Sequence, residues 1–340
     1  MLPKNWVLRY IKPIVFTIKP LPVESNGFCM PELSTKHKKT AKSFLSAIDL
    51  ITLIFCGWIL LYMCLGISRS PEVLKHIPVY LAIFTAVLFL AWLQQQPGWC
   101  YTPNKLTKRY KVLSFFRGLY PVFLFGYFYT SGYAFNRILF RDWLDPFFMK
   151  IDKAIFGYLP SLVWGKQYSH WAIQELFHFA YFCYYPMIAG IPLYLYFTQK
   201  DAFKEVIFNL TFVFYCCYTI YSVLPVIGGR YLPEAMALTK TYHSGPFSRI
   251  MAFIYRTSNH LGGAFPSSHI AIALVLTIAA LRYIRPVGYI CTVISFFLSI
   301  ATVFCHYHWF IDAVFGILTG IAGYYAANGT RLLLKEKGFS

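Results

Sequence analysis

Eight nearly uncharged apolar stretches recur along this chain, more than a soluble domain of its length could bury. They run Leu50 to Ile67, Ile77 to Leu93, Gly118 to Phe135, Leu176 to Gln199, Val206 to Gly229, Leu261 to Leu281, Val287 to Cys305 and Trp309 to Asn328, the last broken only by Asp312. A helix needs about 17 to 25 such residues to cross a bilayer. In hydrocarbon every backbone polar group must be satisfied internally, which open loops and sheet edges cannot do. The 340 residues are 58% apolar, 20% aromatic and only 13% charged, and the mean hydropathy is +0.52. The expectation is an all-α, multi-span transmembrane bundle, with the start of the sixth span the least sharply marked.

A net charge of +18 raises the question of nucleic acid, but the basic residues are scattered over loops between spans and form no single soluble face. A membrane partner, and no nucleic acid, accounts for them better. With a cytoplasmic N-terminus, the cytoplasmic segments hold eight Lys and Arg residues from Lys4 to Lys42, then Lys105, Lys108, Arg109 and Lys111, then Lys200 and Lys204, Arg282 and Arg285, and Arg331, Lys335 and Lys337. This satisfies the positive-inside bias and returns both termini to the cytoplasm. The first long apolar run follows some 43 mostly polar and basic residues, so no cleavable signal peptide is expected. Trp6 to Ile18 reads equally as a surface-lying segment or a basic tail. The nine cysteines show neither a disulfide framework nor metal-ligand spacing.

The resulting organisation is a basic cytoplasmic segment (1–43), two N-terminal spans (44–97) set off by a polar stretch with Pro97, Gly98 and Pro103, a six-helix core (113–328) and a short cytoplasmic tail (329–340). In the loop Asn136 to Tyr168, the run Leu144 to Asp152 has apolar and charged residues at helical spacing, which predicts a short interfacial helix. The loop Gly228 to Phe265 carries Arg230, Lys240, Arg249 and Arg256 against Glu234 alone. On this topology that loop, the start of span six and the start of span eight share the non-cytoplasmic end.

Three groups of residues there suggest chemistry. His308 and Asp312, four apart at the mouth of span eight, lie one helical turn from each other, so the carboxylate can orient one ring nitrogen and leave the other free. An ionisable pair in an apolar span costs several kcal/mol and is a functional hypothesis by default, against the plainer reading of a structural hydrogen bond. Ser267, Ser268 and His269 open span six. Pro266 and the serines are also ordinary helix-start residues, but that does not explain the histidine. Arg230 is a candidate phosphate ligand or a snorkelling anchor. Arg256, Lys240, His243 and His306 are auxiliary candidates. Gly316, Gly320 and Gly323 read as helix-packing positions.

Together these residues resemble the type 2 phosphatidic acid phosphatase superfamily, whose three patterns are K-x6-R-P, P-S-G-H and S-R-x5-H-x3-D. The second reads Pro266-Ser267-Ser268-His269 here. The third keeps His308 and Asp312 with Ala301-Thr302 in place of Ser-Arg, and the first keeps Arg230 with Val223 for the Lys and Tyr231 for the Pro. These departures, with Pro225 to Tyr231 and Asp145 to Pro160, look like the branch containing inositol phosphorylceramide synthase and its bacterial relatives. Sphingomyelin synthases are similar in the final His-x3-Asp but fit the Pro-Ser-Ser-His stretch less well. The resemblance covers about residues 113 to 328.

The resemblance implies displacement at phosphorus with no metal and no cofactor. His308 would be the nucleophile, Asp312 would fix its tautomer, and His269 would serve as general acid and then base. Arg230 and the Ser267 and Ser268 amides would hold the phosphoryl oxygens, helped by His306, Arg256 or Lys240. The expected substrate is a phospholipid, the acceptor water or a lipid alcohol such as ceramide or diacylglycerol, and the setting a bacterial cytoplasmic membrane rather than a eukaryotic endomembrane. A non-catalytic lipid carrier or scaffold with a decayed phosphate site is the other reading, favoured by the two missing cations.

Overall fold

The computed structural model describes residues 43–96, 108–242, 245–257 and 261–339. The N-terminal segment with Trp6 to Ile18, and His243, lie outside the described residues. Thirteen α-helices and no strand occur among those described. They are α1 (Ala47–Gly66), α2 (Ile77–Leu93), α3 (Lys108–Ser131), α4 (Asp145–Phe156), α5 (Pro160–Gln167), α6 (Trp171–Phe182), α7 (Tyr184–Thr198), α8 (Lys200–Val223), α9 (Pro233–Tyr242), α10 (Pro246–Thr257), α11 (Ser268–Tyr283), α12 (Arg285–Phe304) and α13 (Phe310–Glu336), with the short 3-10 turns Pro71–Lys75, Gly132–Ala134 and Gly229–Tyr231 between them.

Among the described residues, seven helical segments are long and apolar enough to cross a membrane: Ala47–Gly66, Pro71–Leu93, Lys111–Ala134, Trp171–Thr198, Lys200–Val223, Arg285–Phe304 and Phe310–Glu336. The protein is thus a multi-pass helical membrane protein. The expected sixth span begins later than its apolar run. Gly262 sits at a φ of 99°, Pro266 cannot continue a helix, and α11 starts only at Ser268, leaving 16 residues. The fourth span breaks at Cys183, where Pro186 removes the N–H that would bond the Phe182 carbonyl one turn back.

The N-terminal pair packs into the same core as the other spans instead of standing apart. Phe55 of α1 stacks on Tyr215 of α8 at 4.4 Å, and Tyr80 of α2 stacks on Phe128 of α3 at 5.3 Å. The start of α1 is fixed by a capping box in which Ser46 and Asp49 bond each other's backbone N–H, and Arg117 of α3 pairs with the same Asp49. The two loops at the site end fold into helices: Asn136 to Tyr168 forms α4 and α5, and Gly228 to Phe265 contains α9 and α10. Glu175 of α6 accepts from the amides of Phe247 (2.8 Å) and Ser248 (3.1 Å), which ties down the start of α10.

The contact that positions the site is between α11 and α13. A Cβ at Gly320 would stand 2.9 Å from the Ala271 backbone, and one at Gly316 would stand 2.8 Å from the Ser267 carbonyl. Only glycine permits this approach, and it brings the start of α11 beside the start of α13.

Candidate active site

The turn Cys305 to Trp309 joins α12 to α13. His306 adopts the left-handed conformation, φ 65°, and the amides of Tyr307 (3.0 Å) and His308 (2.9 Å) both donate to the Thr302 carbonyl. The chain therefore reverses at His306 and delivers His308 to the interior.

His308 Nδ1 lies 3.6 Å from Asp312 Oδ2, a juxtaposition longer than a hydrogen bond. Asp312 Oδ2 accepts from the Trp309 amide at 2.9 Å, while His308 Nδ1 and Asp312 Oδ1 are buried with no hydrogen-bond partner. Burial pushes the His308 imidazole down to about 4; a hydrogen bond with the Ala264 backbone opposes this, and the Arg230 charge adds to it.

His269 lies in the first turn of α11, its ring centroid 6.3 Å from that of His308. Tyr181 (4.9 Å) and Tyr184 (4.5 Å) pack against it. The Arg230 guanidinium lies over the rings of Tyr255 at 4.2 Å and Tyr231 at 4.5 Å and bonds the Tyr231 hydroxyl. Arg230 enters none of the ion pairs found among the described residues. His269, His308 and Arg230 line one narrow cleft with Tyr129, Tyr181 and Tyr255.

The remaining sequence candidates fall elsewhere. The Ser267 amide donates to the Asp312 carbonyl (3.1 Å) and the Ser268 amide to the Tyr221 hydroxyl (3.2 Å), so the expected anion cradle is already bonded within the protein. The buried Ser267 hydroxyl makes no hydrogen bond. His306 turns away from the cleft and bonds the Ser161 carbonyl through Nδ1. Its neighbour Gly165 leaves room for that ring, since a Cβ there would stand 2.9 Å from the His306 Cε1. Arg256 is exposed, and it is Tyr255, one residue earlier on α10, that reaches the cleft. The Lys240 side chain lies outside the described ones.

Two residues that carry the site's geometry were not singled out from sequence. Asp145, buried at the start of α4, accepts from the amides of Ile227 (3.0 Å) and Gly228 (2.9 Å) and from the Trp309 indole (2.8 Å). It joins the loop before Arg230 to the residue after His308. Asp152 accepts from the amides of Phe310 (2.8 Å) and Ile311 (3.1 Å), capping α13 from another helix. Burial raises both carboxyls and the donated N–H bonds oppose it. The available signal was their spacing: two aspartates seven apart share one face of an amphipathic helix.

A model of the PAP2 superfamily matches residues 147–326, more than half of the chain, and the matched region holds Arg230, His269, His308 and Asp312. No curated protein and no solved structure matches the chain. On the strength of the family match, the chain belongs to the PAP2 superfamily.

Proposed function

We propose that this protein is an integral-membrane lipid phosphatase or phosphotransferase that works through a phosphohistidine on His308, at the non-cytoplasmic face. The observation that carries the reading is Arg230: a half-buried guanidinium held on aromatic rings, facing no carboxylate ion pair among the described residues, in the same cleft as His269 and His308. Such a cation is suited to an anionic oxygen.

In the first step a ring nitrogen of His308 attacks phosphorus and the ester P–O bond breaks. His269 gives its proton to the leaving alkoxide, and Asp312 stabilises the imidazolium. In the second step His269 takes the proton of the incoming hydroxyl, whose oxygen attacks phosphorus as the P–N bond breaks. Arg230 balances charge on the phosphoryl oxygens in both steps. The 3.6 Å between His308 and Asp312 needs to close by less than about 1 Å to reach hydrogen-bond length, the kind of tightening expected when substrate binds.

The helices α4, α5, α9 and α10 over the site end support restricted water entry and hence transfer to a lipid alcohol, ceramide or diacylglycerol, as in the inositol phosphorylceramide synthase branch. A second reading, a non-catalytic lipid-binding protein, is favoured by the uncharged Val223 and Thr302 where the family has cations. The test is turnover of a panel of labelled phospholipids by the purified protein in lipid nanodiscs, with and without acceptor alcohol, for wild type and His308→Ala. Turnover lost in His308→Ala supports the enzyme, a new phosphorylated lipid supports transfer, and no wild-type turnover supports the carrier.

A further inference from the structure

Behind Arg230 and His269 stand tyrosines whose hydroxyls the chemistry above does not use. Tyr181 of α6 packs its ring on His269 at 4.9 Å, and Tyr255 of α10 carries the Arg230 guanidinium at 4.2 Å. The ring of Tyr307, in the turn before α13, packs on both tyrosines at 4.5 Å. All three line the cleft with His308. The Tyr181 and Tyr255 hydroxyls bond each other at 2.5 Å.

The direction of that bond follows from counting protons. A phenol has one O–H to give and lone pairs to accept with, so two phenols sharing one hydrogen bond have one proton left over. Tyr181 is 0% exposed, and among the described residues its hydroxyl bonds Tyr255 alone. Were Tyr181 the acceptor, its own O–H would be shut in with nothing to receive it, which is costly. Tyr255 is half-buried and lines the cleft. Tyr181 is therefore the donor, and the Tyr255 proton is turned to the cleft.

We infer that the Tyr255 hydroxyl donates to a phosphoryl oxygen beside Arg230, and that Tyr181 is the positioning residue that aims it. The inference rests on the lipid-phosphate reading above and names a donor which that reading lacks. A phosphoryl group in transfer spreads its charge over three oxygens, but most of the donors expected from sequence are committed elsewhere. The Ser267 and Ser268 amides bond Asp312 and Tyr221, His306 turns to Ser161, and Arg256 is exposed. Tyr255 is placed for the task because its ring carries the cation itself, so charge and hydroxyl are presented together. The bond is a charge-assisted hydrogen bond in which the proton stays on the phenol. Accepting from Tyr181 polarises the Tyr255 O–H and strengthens it as a donor.

The test uses the full chain in nanodiscs and two variants, each read by turnover of labelled phosphatidic acid and by calorimetric binding of orthovanadate as a phosphate mimic. Tyr255→Phe keeps the ring under Arg230 and removes only the hydroxyl; kcat/KM should fall about 10²-fold, and orthovanadate should bind about tenfold or more weakly, as for one lost charge-assisted hydrogen bond. Tyr181→Phe should lower kcat about fivefold with KM unchanged, the effect of one neutral hydrogen bond felt in the transition state, and it carries the measurement if Tyr255→Phe fails to fold. Wild-type turnover with unchanged kinetics and orthovanadate affinity in the folded variants overturns the inference while the lipid-phosphate reading stands. Orthovanadate binding that Tyr255→Phe weakens, without turnover of any phospholipid by wild type, overturns the enzyme reading and supports Tyr255 as an anion donor. Neither turnover nor orthovanadate binding by wild type overturns both.

Discussion

The indole Nε1–H of Trp309 donates to Asp145 Oδ1 at 2.8 Å, across 164 residues of chain. The same carboxylate holds the amides of Ile227 and Gly228, so one buried aspartate sets the spacing between the loop of Arg230 and the turn of His308. Asp145→Asn replaces one acceptor oxygen by an NH₂ group that must face an N–H donor. A hydrogen bond to a charged group contributes about 1.5–3 kcal/mol, so kcat should fall about tenfold or more while folded protein is recovered. Steady-state kinetics with a size-exclusion control checks this, and wild-type kcat would exclude a positioning role.

Arg230→Gln removes the cation while keeping a polar side chain. Losing one donor to a developing oxyanion costs about 10²–10³ in rate, and kcat/KM should fall by that order. Arg230→Lys should recover part of it, because an ammonium keeps the charge but lacks the planar stacking on Tyr255. Wild-type activity in Arg230→Gln would remove Arg230 from the site.

The acid limb of the pH–rate profile should lie well below the ordinary histidine range. Attack needs neutral His308, and burial holds its protonation down to about 4, against about 6.5 for a free imidazole. The sign for stability follows. Between these values the unfolded chain binds the proton and the folded one does not, so this group lowers stability as pH falls through that window. A kcat/KM profile against pH tests the limb, and an acidic midpoint at the free-imidazole value of about 6.5 would contradict the buried neutral ring.

Gly320→Ala places a methyl 2.9 Å from the Ala271 backbone, which cannot rotate away. Overpacking of this kind costs about 1–3 kcal/mol and pushes α11, with His269, from α13. Tm in detergent and kcat should both fall; an unchanged Tm would mean that the helices already have slack.

A reporter fused after Gly245 should be non-cytoplasmic and one after Lys335 cytoplasmic, from the distribution of Lys and Arg among the short loops. The opposite result at both positions would move the proposed chemistry to the other face.

Span composition alone implied a helical membrane bundle, because hydrocarbon leaves a chain of this kind few other structures. The i,i+4 spacing of His308 and Asp312 likewise brought two groups together within one turn, a local relation that periodicity reveals. What depended on distant contacts was not legible. His306 lies two residues from His308 and looked like a second cation, but its left-handed turn sends it to the Ser161 carbonyl. The Ser267 and Ser268 amides looked free at a helix start, but Asp312 and Tyr221 approach from other helices and use them. Asp145 and Asp152 looked like the polar side of an interfacial helix, and only the packing of α4 across the start of α13 turns their carboxylates onto Trp309, Phe310 and Ile311. Local spacing in the sequence determined which groups could share a helix face; hydrogen-bond partners far apart in the chain were decided by tertiary structure, because a buried donor or acceptor takes whichever partner the packed helices bring within reach.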